Sequence, residues 1–500
     1  MTRNVVIGIV AALALFAFAL LFVGPGQDGD PVQAGGAGVE QTADAAGATP
    51  TTSAQTPTTQ RDTTTSAAPE VSAELIPTGE IESAAVEVVG TPTEEGIIVL
   101  ARSMAATGDP RWVPYLLDLR LLSTEVVFAE VVGALETLTG EPAPDDPRAS
   151  YLAFGRWMYN NEVDAGQGYI RWKAQLFSLI DPLMGSAVAS VEDPVLAAQV
   201  QWGGVRVGGI PELNDQATLS IAAADYMLED ELTFGAVVNG QARAYPHRIL
   251  DHHELANDTL GGEAVALVNC TLCRTGVLYS REVGGRVLEF ITSGLLHNSN
   301  KVMMDRQTRS LWFQLSGEAI AGEFAGTVLE RLPLTVARYG EWTAEHPDSD
   351  VVSIPDGFAY SYQPGDAYAE YYGSPDLWFP TFEVPDVFDP KAEVATVDLA
   401  GAQLAVSVDA LVAAGPQVIP LGEATLAALP TAAGARFYLV PLRSAALDAR
   451  GLVAALEAGD VNEDRIDVSG EAWPRVVSAQ SFWFAWYGNY PATTWWPPAQ

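Results

Sequence analysis

The chain has 500 residues, with 26 Lys and Arg against 63 Asp and Glu for a net charge of −37, and it is 48% hydrophobic and 9% aromatic. That apolar content builds packed cores and excludes a wholly disordered protein. Only three lysines, Lys173, Lys301 and Lys391, accompany thinly spread arginines, which excludes a nucleic-acid surface and disfavours an anionic membrane face. Two cysteines exclude a disulfide-rich scaffold and any four-cysteine metal site.

The first element is Val5–Val23, an uncharged apolar run of nineteen residues. At about 1.5 Å per residue it covers a hydrocarbon core of roughly 30 Å. Arg3 precedes it and Asp28 and Asp30 follow. The positive-inside rule therefore predicts a single-pass membrane anchor over residues 1–24, with the bulk of the chain extracytoplasmic. An anchor is favoured over a cleaved signal peptide because the run is long and no Ala-x-Ala-like site follows it. Residues 25–84 are rich in Thr, Ala, Gly and Pro, and no aromatic residue lies between Phe22 and Trp112. This composition predicts a disordered tether.

Residues 85–200 read as a small helical domain. Thr91-Pro92-Thr93-Glu94 predicts a capping box on Thr91, Asp109-Pro110 a second helix start, and Ser123-Thr124 a third that stops at Gly140. Paired short helices of this kind fit either units of a helical repeat, which recruit a protein partner, or an ordinary helical cap. From residue 201 the pattern changes to β-branched and aromatic runs divided by Gly, Asn and Asp, predicting mainly antiparallel β structure. A weak internal repeat crosses it. VVNGQARAYPHRILDHH at 237–253 is echoed by DLAGAQLAVSVDALVAA at 398–414, Ser316–Ala319 by Ser469–Ala472, and Trp342 by Trp486, at offsets of 161, 153 and 144 residues. The expected fold is thus α+β: anchor, tether, helical domain, a first β-rich copy over 201–389 and a second over 390–500 that lacks Cys and His.

Several segments carry a family resemblance: VQWGGVRVGGIPEL, FGAVVNGQARAYPHRILDHHELANDTLGG, VNCTLCRTGVLYSR, ITSGLLHNSNKVMMDRQTRSLWFQLSGEAIAG and the ending SFWFAWYGNYPATTWW. In order, over about 200–500, the chain resembles the bacterial and archaeal family called domain of unknown function 3179. The resemblance implies membrane-tethered or secreted proteins and lends residue positions rather than a reaction. Among those positions are His253, Glu254, Cys270, Cys273, Asn298, Asp305 and Arg306. The chain departs from the family pattern at His252, Thr271 and Arg274, where Trp, Pro and Gly are usual.

Both cysteines sit in one Cys-x-x-Cys, Cys270 and Cys273, and all five histidines lie between 247 and 346. Such a pair serves as a redox couple, as two metal ligands or as a short structural cross-link. The residues after Cys273 read as a strand, so the pair sits on a hairpin knuckle rather than at a helix start. His253 and His297 would complete a set suited to zinc or copper, although Arg274 replaces the glycine that such knuckles favour. His253-Glu254 lacks the second histidine of a zinc protease. It remains a candidate acid–base pair, against a buried hydrogen-bonded His253 and a turn capped by Glu254 and Asp258. Asn298, Asp305 and Arg306 are further candidates, with Asp305-Arg306 also readable as a turn holding a local ion pair. The leading reading is a membrane-anchored extracytoplasmic protein with a metal or thiol site at Cys270 and Cys273. The alternative is a binding or scaffold module with a structural disulfide.

Overall fold

The computed structural model describes residues 74–498 except 366, 442–443, 445–448 and 462–463. The expected anchor and most of the tether lie outside the described residues, and no described helix is long and apolar enough to cross a membrane. The described chain is α+β.

Eight helices come first: α1 Ile81–Gly90, α2 Glu94–Ala106, α3 Val113–Leu119, α4 Glu125–Thr139, α5 Pro147–Asn160, α6 Gln167–Ile180, α7 Pro182–Val188 and α8 Pro194–Gln199. Helix α1 opens at Ile81 because Ile81, Ala85 and Val89 form a buried stripe at helical spacing. The cap of α2 is Thr93 rather than Thr91: its hydroxyl accepts the Gly96 N–H at 3.1 Å. Asp109 caps as its Asp-Pro pairing predicts, accepting the Arg111 N–H at 3.0 Å. Gly140 ends α4 with φ 74°. The helices share one core with the first sheet, and that core includes Cys270, Cys273, Val302 and Met304.

The strands that frame the site and the two halves are β1 Val200–Trp202, β2 Leu232–Val238, β3 Gln241–Pro246, β4 Leu255–Leu260, β5 Glu263–Cys270, β6 Thr275–Ser280, β7 Phe290–His297, β8 Asn300–Asp305, β9 Thr335–Arg338 and β10 Asp350–Val352. Then come β11 Glu393–Leu399, β12 Ala402–Ser407, β13 Gln417–Leu421, β14 Ala424–Pro430, β15 Ala435–Leu439, β16 Ser478–Phe482 and β17 Thr494–Trp496. Among them lie the helices α9 His247–His253, α10 Tyr339–Glu345, α11 Ala369–Gly373, α12 Val408–Ala414, α13 Ala449–Glu457 and α14 Trp483–Asn489.

One set of pairings occurs twice. β2 pairs antiparallel with β9 and β3, and β3 pairs parallel with β10. β11 likewise pairs antiparallel with β16 and β12, and β12 pairs parallel with β17. In each half a helix (α9 or α12) then leads into an antiparallel meander, β4-β5-β6 or β13-β14-β15. The hairpin turns correspond as Asn239-Gly240 and Ala400-Gly401, all four with positive φ, as a two-residue turn between right-twisted strands requires. Trp342 and Trp486 are the fourth residues of α10 and α14, fully buried. Their indole nitrogens donate to Ser349 and Thr493, each at 2.9 Å.

Candidate functional site

Cys270 ends β5, and its register partner Thr275 opens β6, leaving a four-residue turn through Thr271 and Cys273. The Cys273 N–H reaches the Cys270 carbonyl at 3.2 Å and the Arg274 N–H reaches Thr271 at 3.3 Å. Arg274 takes φ 51°. The left-handed bend that glycine favours in a knuckle is therefore made here by arginine, held outside by Glu393 at 3.1 Å and by the Tyr372 ring at 4.9 Å. Both thiols are free and buried, at 2% and 0% exposure, so the pair is not the disulfide of the scaffold alternative. Burial first, and then the hydrogen bond shared with Cys270, push the Cys273 thiol well up; the Lys301 backbone N–H opposes this by donating to it. The Cys273 sulfur also lies 3.4 Å from the Ser299 carbonyl, as a donor to it.

Beneath the turn lies an ion pair. Glu254 ends α9 with φ 58°, a conformation that costs a non-glycine residue on the order of 1 kcal/mol. Its carboxylate accepts the Thr271 hydroxyl at 2.9 Å and pairs with the Lys301 ammonium, which also donates to Thr292 Oγ1 at 2.5 Å. Both ions are nearly enclosed, Glu254 at 6% and Lys301 at 5% exposure. Asp251, one turn earlier on α9, accepts the Asn269 amide at 3.0 Å, and burial pushes its carboxyl up to about 7.

Helix α11 covers the turn. Tyr371 donates to the Leu272 carbonyl at 3.0 Å and Tyr372 to that of Thr271 at 3.1 Å. Lys391 fastens the far end of this cover, donating to the carbonyls of Tyr371 at 2.6 Å and Ser374 at 2.9 Å.

The other sequence candidates are placed around this centre. His253 is fully buried, with Nδ1 2.7 Å from the Pro211 carbonyl and Nε2 2.7 Å from the Tyr362 hydroxyl. Its ring and the Glu254 carboxylate thus face different partners, and Asp258 is engaged by Arg243 at 2.6 Å and Tyr245 at 2.7 Å rather than sharing a cap with Glu254. His297 contacts Gln199 at 3.2 Å, and burial pushes its imidazole down to about 4. Among the described residues no three His, Cys, Asp or Glu side chains gather as a metal site. Asn298 joins three parts of the chain: its N–H donates to Tyr159 at 2.7 Å, its side-chain oxygen accepts from Phe382 at 2.9 Å, and its amide packs on Gly488. Asp305 caps its own turn through Thr308 and receives the Trp312 indole at 3.0 Å. The expected local pair with Arg306 gives way to long-range ones, because Arg306 reaches Glu212 and Glu289.

Sequence reasoning missed Lys301, Thr271 and the tyrosines of α11. One signal was present: lysine is so rare here that each instance invites a reason. Lys173 is likewise buried, 3.1 Å from Asp118.

A buried dithiol on a hairpin turn, flanked by an enclosed ion pair within an α+β scaffold, defines the class of site. The family described as "Protein of unknown function (DUF3179)" matches residues 207–493, and the chain belongs to it. No curated protein and no solved structure matches the chain.

Proposed function

We propose that this chain is a membrane-anchored extracytoplasmic thiol-redox protein whose working group is Cys270 with Cys273. One observation carries the reading: two free, buried thiols sit on one hairpin turn, Cys270 at its entry and Cys273 within it. Oxidation breaks both S–H bonds and forms one S–S bond. The two electrons pass to an external disulfide, which is cleaved to two thiols that take up the two protons. The extracytoplasmic placement is supported by Val5–Val23 and the composition of the tether. In this reading 390–500 is a diverged copy of 201–389 that acts as scaffold, since Pro430 and Ala433 stand in its turn where the first half has Cys270 and Cys273.

The test is a thiol count on the full chain equilibrated in glutathione buffers of graded potential, with elemental analysis of the same sample. Two thiols lost together, reversibly, are expected. Near-stoichiometric zinc or copper that disappears in Cys270→Ser would replace the redox reading with a metal site. Thiols that persist at every potential would end it.

A further inference from the structure

We infer that the Glu254–Lys301 ion pair is the positioning device that sets the reactivity of the Cys270–Cys273 couple, its carboxylate and its ammonium acting on the sulfurs with opposite sign. The inference rests on the redox reading above.

The second half supplies the control. Gly415 follows α12 where Glu254 follows α9, both with positive φ, 75° and 58°, and with ψ of −167° and −18°. Glycine meets the backbone requirement of such a helix end without strain. A glutamate there needs another reason, and its side chain gives one. It reaches Thr271, one of the two residues between the cysteines, and it reaches Lys301, two residues beyond Ser299, whose carbonyl accepts the Cys273 thiol at 3.4 Å. Sulfur, lysine, glutamate and turn thus lie together. The second half lacks the glutamate and both cysteines together.

Enclosure gives the pair its leverage. Charges removed from water act on a neighbouring group with little screening. A carboxylate disfavours a thiolate at Cys273, whereas an ammonium favours it. Asp251 faces the site from α9 with a carboxyl that burial raises to about 7, Arg274 adds positive charge from the turn, and Tyr371 and Tyr372 close the site from α11 without charge. Burial holds Cys273 protonated, and the pair adjusts that hold from both sides, the carboxylate strengthening it and the ammonium weakening it.

The experiment compares wild type, Glu254→Gln, Lys301→Met and the double variant in the full chain. It reads thiolate ultraviolet absorbance against pH, as a difference from Cys273→Ser, and the rate of alkylation by iodoacetamide. Glu254→Gln is expected to raise the alkylation rate about tenfold and Lys301→Met to lower it about tenfold, one pKa unit in either direction. The double variant should return toward wild type. A packing defect would move both single variants the same way; that result, or no movement in either, overturns the inference. If Lys301→Met does not fold, Lys301→Arg replaces it and should stay near the wild-type rate while Glu254→Gln rises; equal changes in the two overturn the inference. A failure of the redox reading shows separately, as thiols that never pair in the glutathione buffers.

Discussion

Gly235 in the first half and Thr396 in the second occupy the same place in their sheets, each on the strand that pairs with both of its antiparallel neighbours. Gly235 leaves room for the Trp342 ring, which a Cβ would meet at 2.2 Å. Thr396 instead spends its hydroxyl on the Ala479 carbonyl at 3.1 Å. The contrast extends across the two halves. Strand order, turn positions and the buried tryptophans correspond, while Cys270, Cys273, Glu254 and Asp251 face Pro430, Ala433, Gly415 and Val412. Shared positions hold the scaffold together; the differing ones place polar and reactive groups in only one half, where each needs a buried partner.

The largest expected break is Lys301→Met. It leaves Glu254 enclosed and unpaired, and a broken buried ion pair costs about 3–5 kcal/mol, to be read from urea unfolding. Gly415→Asn should cost less, about 1–3 kcal/mol and for a backbone reason alone, because φ 75° with ψ −167° is a conformation that essentially only glycine adopts. A loss below about 1 kcal/mol for Lys301→Met would mean that water reaches the pair.

A pH series sharpens the contrast next. The Asp251 carboxyl is raised to about 7 from 3.8, chiefly by burial. The native state therefore binds more protons than the unfolded state between those values, and this contribution to stability is lost as pH rises toward 7. Asp251→Asn removes it, so the variant should gain on wild type by about 2–4 kcal/mol from pH 4 to pH 8 in urea unfolding. His247 and His297 act with opposite sign. Burial lowers them from 6.5 to about 3 and about 4, so their contribution is present above 6.5 and lost as pH falls. A flat difference between wild type and Asp251→Asn would show that Asp251 is hydrated.

Smaller effects should mark the scaffold itself. Gly235→Ala drives a methyl into the Trp342 ring and should cost about 1–3 kcal/mol by overpacking. Trp342→Phe and Trp486→Phe each remove one indole N–H donor from a hydroxyl that keeps its own bond to the Asp350 or Thr494 carbonyl, and should cost similar amounts, about 1–2 kcal/mol, measured as paired shifts in the urea midpoint. Unequal costs would show that the two tryptophans support their halves differently.

Much of this was legible in the residues. Asp109-Pro110, Gly140 and Asn239-Gly240 announce their caps and turns because those preferences are local, a matter of one side chain and its own backbone. The same holds for the pair of thiols on a hairpin turn, since four residues suffice to specify it. Where two local signals competed, as at Thr91 and Thr93, the buried stripe of the helix decided the register. His253 and His297 were grouped with the cysteines because composition clusters them. Their distances could not be read from composition, and the fold gives His253 to Pro211 and Tyr362 and His297 to Gln199.

By itself the sequence determined the apolar first segment, the change from helices to strands, the repeated scaffold signals and the position of the dithiol, since each is encoded within a short stretch. Only the tertiary structure decided what surrounds the sulfurs. Lys301 lies 47 residues from Glu254, and Tyr371 lies 99 from Leu272. No short-range preference spans such distances. It is the packing of β8 and α11 against the β5-β6 turn that encloses an ion pair and two thiols in one place.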